Sequence, residues 1–156
     1  MFYTLLSITA TIQKLRLEGR SIVLATGFFD LLHAEHINFL VKAKAQGDIL
    51  IVAVESDARA RASKGEGRPI ESQSTRCQKV AVYADYVIAL GDDFNTPAAY
   101  EDLMRMVRPQ VYAVSSHTSY LDLKKALTEK YGGELVIVHE FNPEISTSKI
   151  IRQNQV

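Results

Sequence analysis

The chain has 156 residues, 47% of them hydrophobic and 23% charged, with a formal net charge of zero. That size suits a single domain over residues 1–156 with a proper hydrophobic core. The even charge balance argues against a nucleic-acid or membrane-surface partner, yet it leaves room for a small anion held by a local cluster of cations. The single Cys77 permits no internal disulfide and no zinc-type cysteine cluster, which fits a reducing cytoplasm. Residues 1–11 lack the basic start and long apolar centre of a signal peptide. No apolar run is long enough to span a membrane.

In chain order, residues 8–17 read as a helix, with Ile8, Ile12 and Leu15 on one face and Gly19 as its stop. Residues 21–25 form a continuous apolar strand of the buried parallel kind. A helix over 37–46 ends at Gly47-Asp48, and a second strand covers 49–54. A short helix at 58–62 precedes a glycine-rich basic loop, 64–71, which Pro69 keeps irregular. A helix over 74–83 and a strand over 86–90 follow. Pro97 opens a helix running to Val107, and strand 110–114 and helix 120–131 come next. Strand 134–139 and a C-terminal helix over 146–153 complete the pattern. Strands alternating with helices predict an α/β fold: a doubly wound, five-stranded parallel sheet with helices on both faces. Ligands in such sheets bind beyond the strand C-terminal ends, where the strand order reverses. The exit of the first strand into Gly27 is the natural place to look.

That exit carries the richest chemistry of the chain, Thr26-Gly27-Phe28-Phe29-Asp30-Leu31-Leu32-His33-Ala34-Glu35-His36. A strand, a glycine turn and a helix start follow one another. A helix start presents free N–H groups and a positive dipole end, so it attracts phosphate. His33 and His36, three residues apart, share one helix face and can point at the same anion. Gly27 offers close backbone approach, and Asp30 is suited to accepting backbone N–H bonds near the helix start. A second Ser/Thr-rich helix start, Ser146-Thr147-Ser148, stands near the other end of the chain. Asp57 follows the second strand and is a candidate pocket residue.

The first stretch resembles the Gly-x-Phe-Asp-x-x-His-x-Gly-His signature of the cytidylyltransferase-like nucleotidyltransferases. Within that superfamily the chain is most similar to the heptose-1-phosphate adenylyltransferase domain and the glycerol-3-phosphate cytidylyltransferases. Lys64-Gly65-Glu66-Gly67-Arg68-Pro69 resembles the Lys-Gly-x-x-Arg-Pro loop of the heptose-phosphate branch, and Ile145-Ser146-Thr147-Ser148-Lys149-Ile150 the Ile-Ser-Thr-Thr-x-Ile motif. The likeness runs from about Ile8 to Arg152, with the motifs in the family's order.

The resemblance implies a Rossmann-like fold and transfer of AMP or CMP from ATP or CTP, with magnesium, to a small phosphorylated sugar or polyol. It implies a homodimer. It makes His33, His36 and Lys44 catalytic, and Thr26, Gly27, Phe28, Phe29, Arg76, Ser146, Thr147 and Ser148 nucleotide-binding. Lys64, Arg68, Asp57 and Ser115 fall to the acceptor side or the loop. Three positions depart from the pattern. Glu35 replaces the glycine between the histidines, Thr75 replaces the acidic partner of Arg76, and Val114-Ser115-Ser116-His117 replaces a turn that is often Lys-Gly-Gly. These departures keep open a binding module of the same fold without turnover. A metal-binding protein using His33 and His36 is a third reading, and two imidazoles are too few for a typical structural zinc site.

Overall fold

The computed structural model describes residues 2–155. Its elements in chain order are α1 (Thr9–Leu17), β1 (Ile22–Gly27), α2 (Ala34–Lys44), β2 (Ile49–Val54), α3 (Asp57–Lys64) and α4 (Gln73–Val80). They continue with β3 (Tyr86–Ala89), α5 (Pro97–Val107), β4 (Val111–Ser115), α6 (Leu121–Lys130), β5 (Glu134–His139) and α7 (Thr147–Asn154). All strand pairings are parallel, in the order β3-β2-β1-β4-β5. This is the predicted doubly wound sheet. The central strands are short apolar runs buried on both faces, as β2 shows along its whole length, while the edge strand β5 is only partly covered.

The alternation of side chains along each strand builds two cores. Ile22 and Leu24 of β1 pack with Ile51, Tyr112, Leu103 and Leu127 beneath α1, α5 and α6. Val23 and Ala25 face the other way, with Leu40, Ala43, Cys77 and Val80 beneath α2 and α4. The N-terminal segment adds a parallel bridge between Tyr3 and Ile88 at the outer edge of β3.

Two details place the site. β1 pairs with β2 from Ile22 to Gly27 but with β4 only at Val23 and Leu24. Beyond Leu24 the two central strands part, and a crevice opens at the point where strand order reverses. The second detail is the start of α2, at Ala34 rather than at residue 37 as predicted. Polar residues in the first turn hide the apolar period there. His33 is the extended N-cap residue (φ −130°, ψ 177°), so both histidines belong to the helix start.

Candidate active site

The crevice is a cleft of about 580 Å3, within the usual size of a small-molecule site. The β1–α2 turn forms one wall. Phe29 and Leu31 both hold left-handed backbone (φ 53° and 48°), which is uncommon for residues with a Cβ. Phe29 is anchored by its ring, buried against Phe39 and edge-on to His36 with centroids 5.6 Å apart. A Cβ on Gly27 would meet that ring at 3.0 Å, so glycine here makes room for Phe29.

His33 and His36 stack at 3.8 Å between centroids, and both line the cleft. Neither Nδ1 has a hydrogen-bond partner among the described residues. Burial, with the neighbouring imidazole of His33, pushes His36 down to about 3. Burial also lowers His33, against the pull of Glu35. At neutral pH His36 is therefore an uncharged imidazole with one N–H to give.

Asp30 ties the turn to the rest of the site. Its carboxylate accepts from Arg68 Nε at 2.8 Å and from the backbone N–H groups of Ile70 and Glu71, both within 3.2 Å. Burial alone would raise this carboxyl, but those donors hold it below the ordinary range. Asp30 was expected to serve the helix start; it fixes the 65–72 loop instead. Its carbonyl accepts from Thr147 Oγ1 at 2.7 Å, which docks the start of α7 on the turn. Ser146 caps α7 by accepting from the Lys149 N–H at 3.2 Å. The two helix starts, from opposite ends of the chain, thus meet on one cleft.

Of the residues picked from sequence, Thr26, Gly27, Phe28, Phe29, His33, His36, Lys64, Arg68, Ser115, Ser146, Thr147 and Ser148 all line the cleft. Three lie elsewhere. Lys44 closes α2 at the end away from the cleft, about 15 Å along the axis from its first turn. There it donates to Asp48 O at 2.6 Å and pairs with Asp85. Arg76 is completely buried behind the turn, and Asp57 is paired to it at 2.7 Å. Neither reaches the cleft lining. Thr75 is likewise off the cleft, its hydroxyl 3.0 Å from that of Ser72.

Glu35 does face the cleft, yet its carboxylate is engaged: Oε2 lies 2.7 Å from His139 Nε2. That partner is a histidine at the end of β5. Sequence reading missed His139 and the His117–Phe141 ring pair (centroids 4.0 Å apart). It also missed Glu55, Arg59, Tyr100 and Lys124, which line the far wall. Position after β2, β4 and β5 was the available signal for several of these.

Two carboxylates of the cleft are taken up, Asp30 by Arg68 and Glu35 by His139, while Glu55 faces Arg59 at 3.5 Å without a hydrogen bond between them. Among the described residues no three His, Cys, Asp or Glu side chains converge as a metal cage. A magnesium ion usually keeps its waters and is held largely through substrate phosphates.

A model of the cytidylyltransferase-like family matches residues 24–153. The bifunctional protein HldE of Alcanivorax borkumensis is 34% identical over 145 residues, covering 91% of this chain and 29% of that protein. The chain thus spans under a third of the length of that curated relative. The lipopolysaccharide core biosynthesis protein of Thermoplasma volcanium superposes with a TM-score of 0.62 at 26% identity, over 80% of this chain and 98% of that one. The pantoate-beta-alanine ligase of Francisella tularensis, solved with beta-gamma ATP and beta-alanine, gives 0.69 at 14% identity, covering 99% and 77%. That last likeness is one of fold alone. The span of the match takes in the turn, the loop and α7 together, and the chain belongs to the cytidylyltransferase-like family.

Proposed function

We propose that this chain transfers a nucleotidyl group from a nucleoside triphosphate to a small phosphorylated sugar or polyol. The observation that carries the reading is the meeting of the α2 and α7 N-termini, with the His33–His36 stack, on one cleft at the switch point. An acceptor phosphate oxygen attacks the α-phosphorus, and the bond from that phosphorus to the bridging oxygen of pyrophosphate breaks. No protein nucleophile is required. Catalysis is alignment and stabilisation of phosphate charge. Helix N–H groups and the two imidazoles supply donors, and Lys64, over the Phe28 ring at 5.9 Å, supplies a cation from the loop. Arg68 is tied to Asp30 and shapes that loop. The His117–Phe141 pair offers an aromatic face for a base.

ATP is the favoured donor, on the likeness of the Arg68-Pro69 loop and on the HldE relatives, with CTP as the other candidate. Magnesium accompanies the triphosphate. A cytoplasmic homodimer is part of the same proposal; no helix of the described residues is long and apolar enough to cross a membrane. The competing reading, a nucleotide- or sugar-phosphate-binding relative without turnover, rests on Glu35 and Thr75. The Glu35–His139 bond weighs against it, because it draws the carboxylate away from phosphates.

A thermal-shift titration with ATP, CTP, GTP and UTP, each with magnesium, tests the proposal. At a hundredfold excess over Kd the native state gains about 2.7 kcal/mol. For a domain of this size that is a rise of about 5–10 °C, expected with one nucleotide above the others. No shift at millimolar concentration of any nucleotide ends the transferase reading.

The Glu35–His139 bond makes a separate prediction. His139→Phe releases a carboxylate beside the phosphates. At about 5 Å and an effective dielectric near 20 the repulsion is about 3 kcal/mol, so the triphosphate Kd rises roughly a hundredfold. Glu35→Gly in the His139→Phe background restores it. An unchanged Kd in the single variant would show that the bond does not protect the phosphate site.

A further inference from the structure

The wall of the cleft away from the imidazoles is built from charges as well. Lys124 sits in the first turn of α6, three residues before the buried Leu127, and so on the helix face turned to the core. It is 6% exposed and still lines the cleft. An ammonium so placed is costly unless its charge and its three N–H donors are met. Thr118 Oγ1 accepts one donor at 2.8 Å, and the Tyr100 and Tyr112 rings lie 5.8 and 5.9 Å away. The nearby carboxylate, Glu55, already faces Arg59 at 3.5 Å. Behind them Thr26 Oγ1 and Tyr112 Oη bond each other at 2.7 Å. This wall therefore holds two cations against one carboxylate, and Lys124 keeps donors that only the cleft can satisfy.

We propose that Lys124, oriented by Thr118, recognises the phosphate monoester of the acceptor on this wall, across the cleft from the imidazoles. The inference rests on the transferase reading and deepens it by naming the group that selects a phosphorylated acceptor. An anion is the partner that a net positive, desolvated cluster lacks, and hydrogen bonds to a charged group are its strongest. Placement opposite the imidazole wall suits an in-line displacement, with the acceptor entering from one side and pyrophosphate leaving from the other. Burial, opposed by Glu55, brings Lys124 down to about 8. Charge on this lysine is thus present at neutral pH and is lost as pH rises through that value. Glu55, Arg59, Tyr100, Tyr112 and Thr118 are the groups that face it.

Calorimetry with glycerol 3-phosphate as probe and glycerol as the uncharged control tests this, on the whole chain saturated with a non-hydrolysable ATP analogue. The wild type is expected to bind glycerol 3-phosphate and to ignore glycerol. Lys124→Met is expected to raise the glycerol 3-phosphate Kd about tenfold or more, while the Kd for the ATP analogue moves less than about twofold. Thr118→Val, which keeps the lysine, gives a smaller loss of about threefold. Wild-type affinity falls between about pH 7 and pH 9, and Lys124→Met shows no such fall. Equal binding of the probe by wild type and Lys124→Met overturns the assignment, as does a wild type that does not bind the probe at about 10 mM. Failure of the wild type to bind the ATP analogue instead breaks the nucleotide reading, and the probe titration without analogue then still decides Lys124.

Discussion

His36→Ala is expected to lower kcat about 10²–10³-fold while the KM for the nucleoside triphosphate stays within a few-fold. With His36 pushed down to about 3 by burial and by His33, the ring is neutral at pH 7. A neutral imidazole gives the ground-state triphosphate a modest hydrogen bond and no ion pair. As negative charge gathers on the phosphate oxygens in the transition state, the same N–H is worth more. An interaction gained mainly there appears in kcat. The stacking of His33 on His36, 3.8 Å between centroids, adds a second expectation. The pair acts as a unit, so His33→Ala/His36→Ala costs little more than the worse single variant. Steady-state kinetics of the three variants checks both. A rise in KM with unchanged kcat would assign His36 to ground-state binding.

The same burial fixes the sign of a pH effect on stability. His36 titrates near 6.5 when unfolded and near 3 when folded. The unfolded chain therefore binds the proton first as pH falls, and stability present above about 6.5 is lost down to about 3. The gap amounts to about 4–5 kcal/mol at the acid end. His36→Ala should flatten that limb even though it opens a small cavity at neutral pH.

The fold could be read from the sequence because its signals are local and repeated. Apolar runs such as Ile49–Val54 fit only buried parallel strands, and the order of strands and helices leaves few topologies. That the β1–α2 turn and the start of α7 carry the richest polar chemistry was legible for a related reason, since helix starts have sequence marks, and the structure brings both to one cleft. What escaped were side chains whose meaning depends on which way an element points. Lys44 shares a helix with His36, yet a helix has two ends, and this lysine lies at the wrong one. Lys124 looks like any surface lysine until α6 is docked and its face turned inward. His139 meets Glu35 across 104 residues of sequence, a pairing no local pattern encodes.

Arg76→Met is expected to destabilise the chain by about 3–5 kcal/mol, the usual cost of breaking a buried, bonded charge. That is a fall in Tm of roughly 6–20 °C for a domain this size. The family likeness had placed this arginine on phosphate, and the structure gives it other work. Its guanidinium, fully buried, donates to Phe28 O at 2.6 Å, Glu55 O at 2.9 Å, Glu71 O at 3.1 Å and Asp57 Oδ1 at 2.7 Å. Those four acceptors belong to the β1–α2 turn, the end of β2, the start of α3 and the 65–72 loop. One planar fork thus holds together the segments that frame the cleft, where methionine leaves three carbonyls and a carboxylate without their donor. Arg76→Lys should recover little, because an ammonium cannot span four acceptors in that plane. Urea unfolding measures the loss, and nucleotide titration below the lowered Tm separates the two roles. A scaffold arginine costs stability first and nucleotide affinity only through the loosened turn. A variant with wild-type stability and a selective loss of triphosphate binding would return the guanidinium to the ligand.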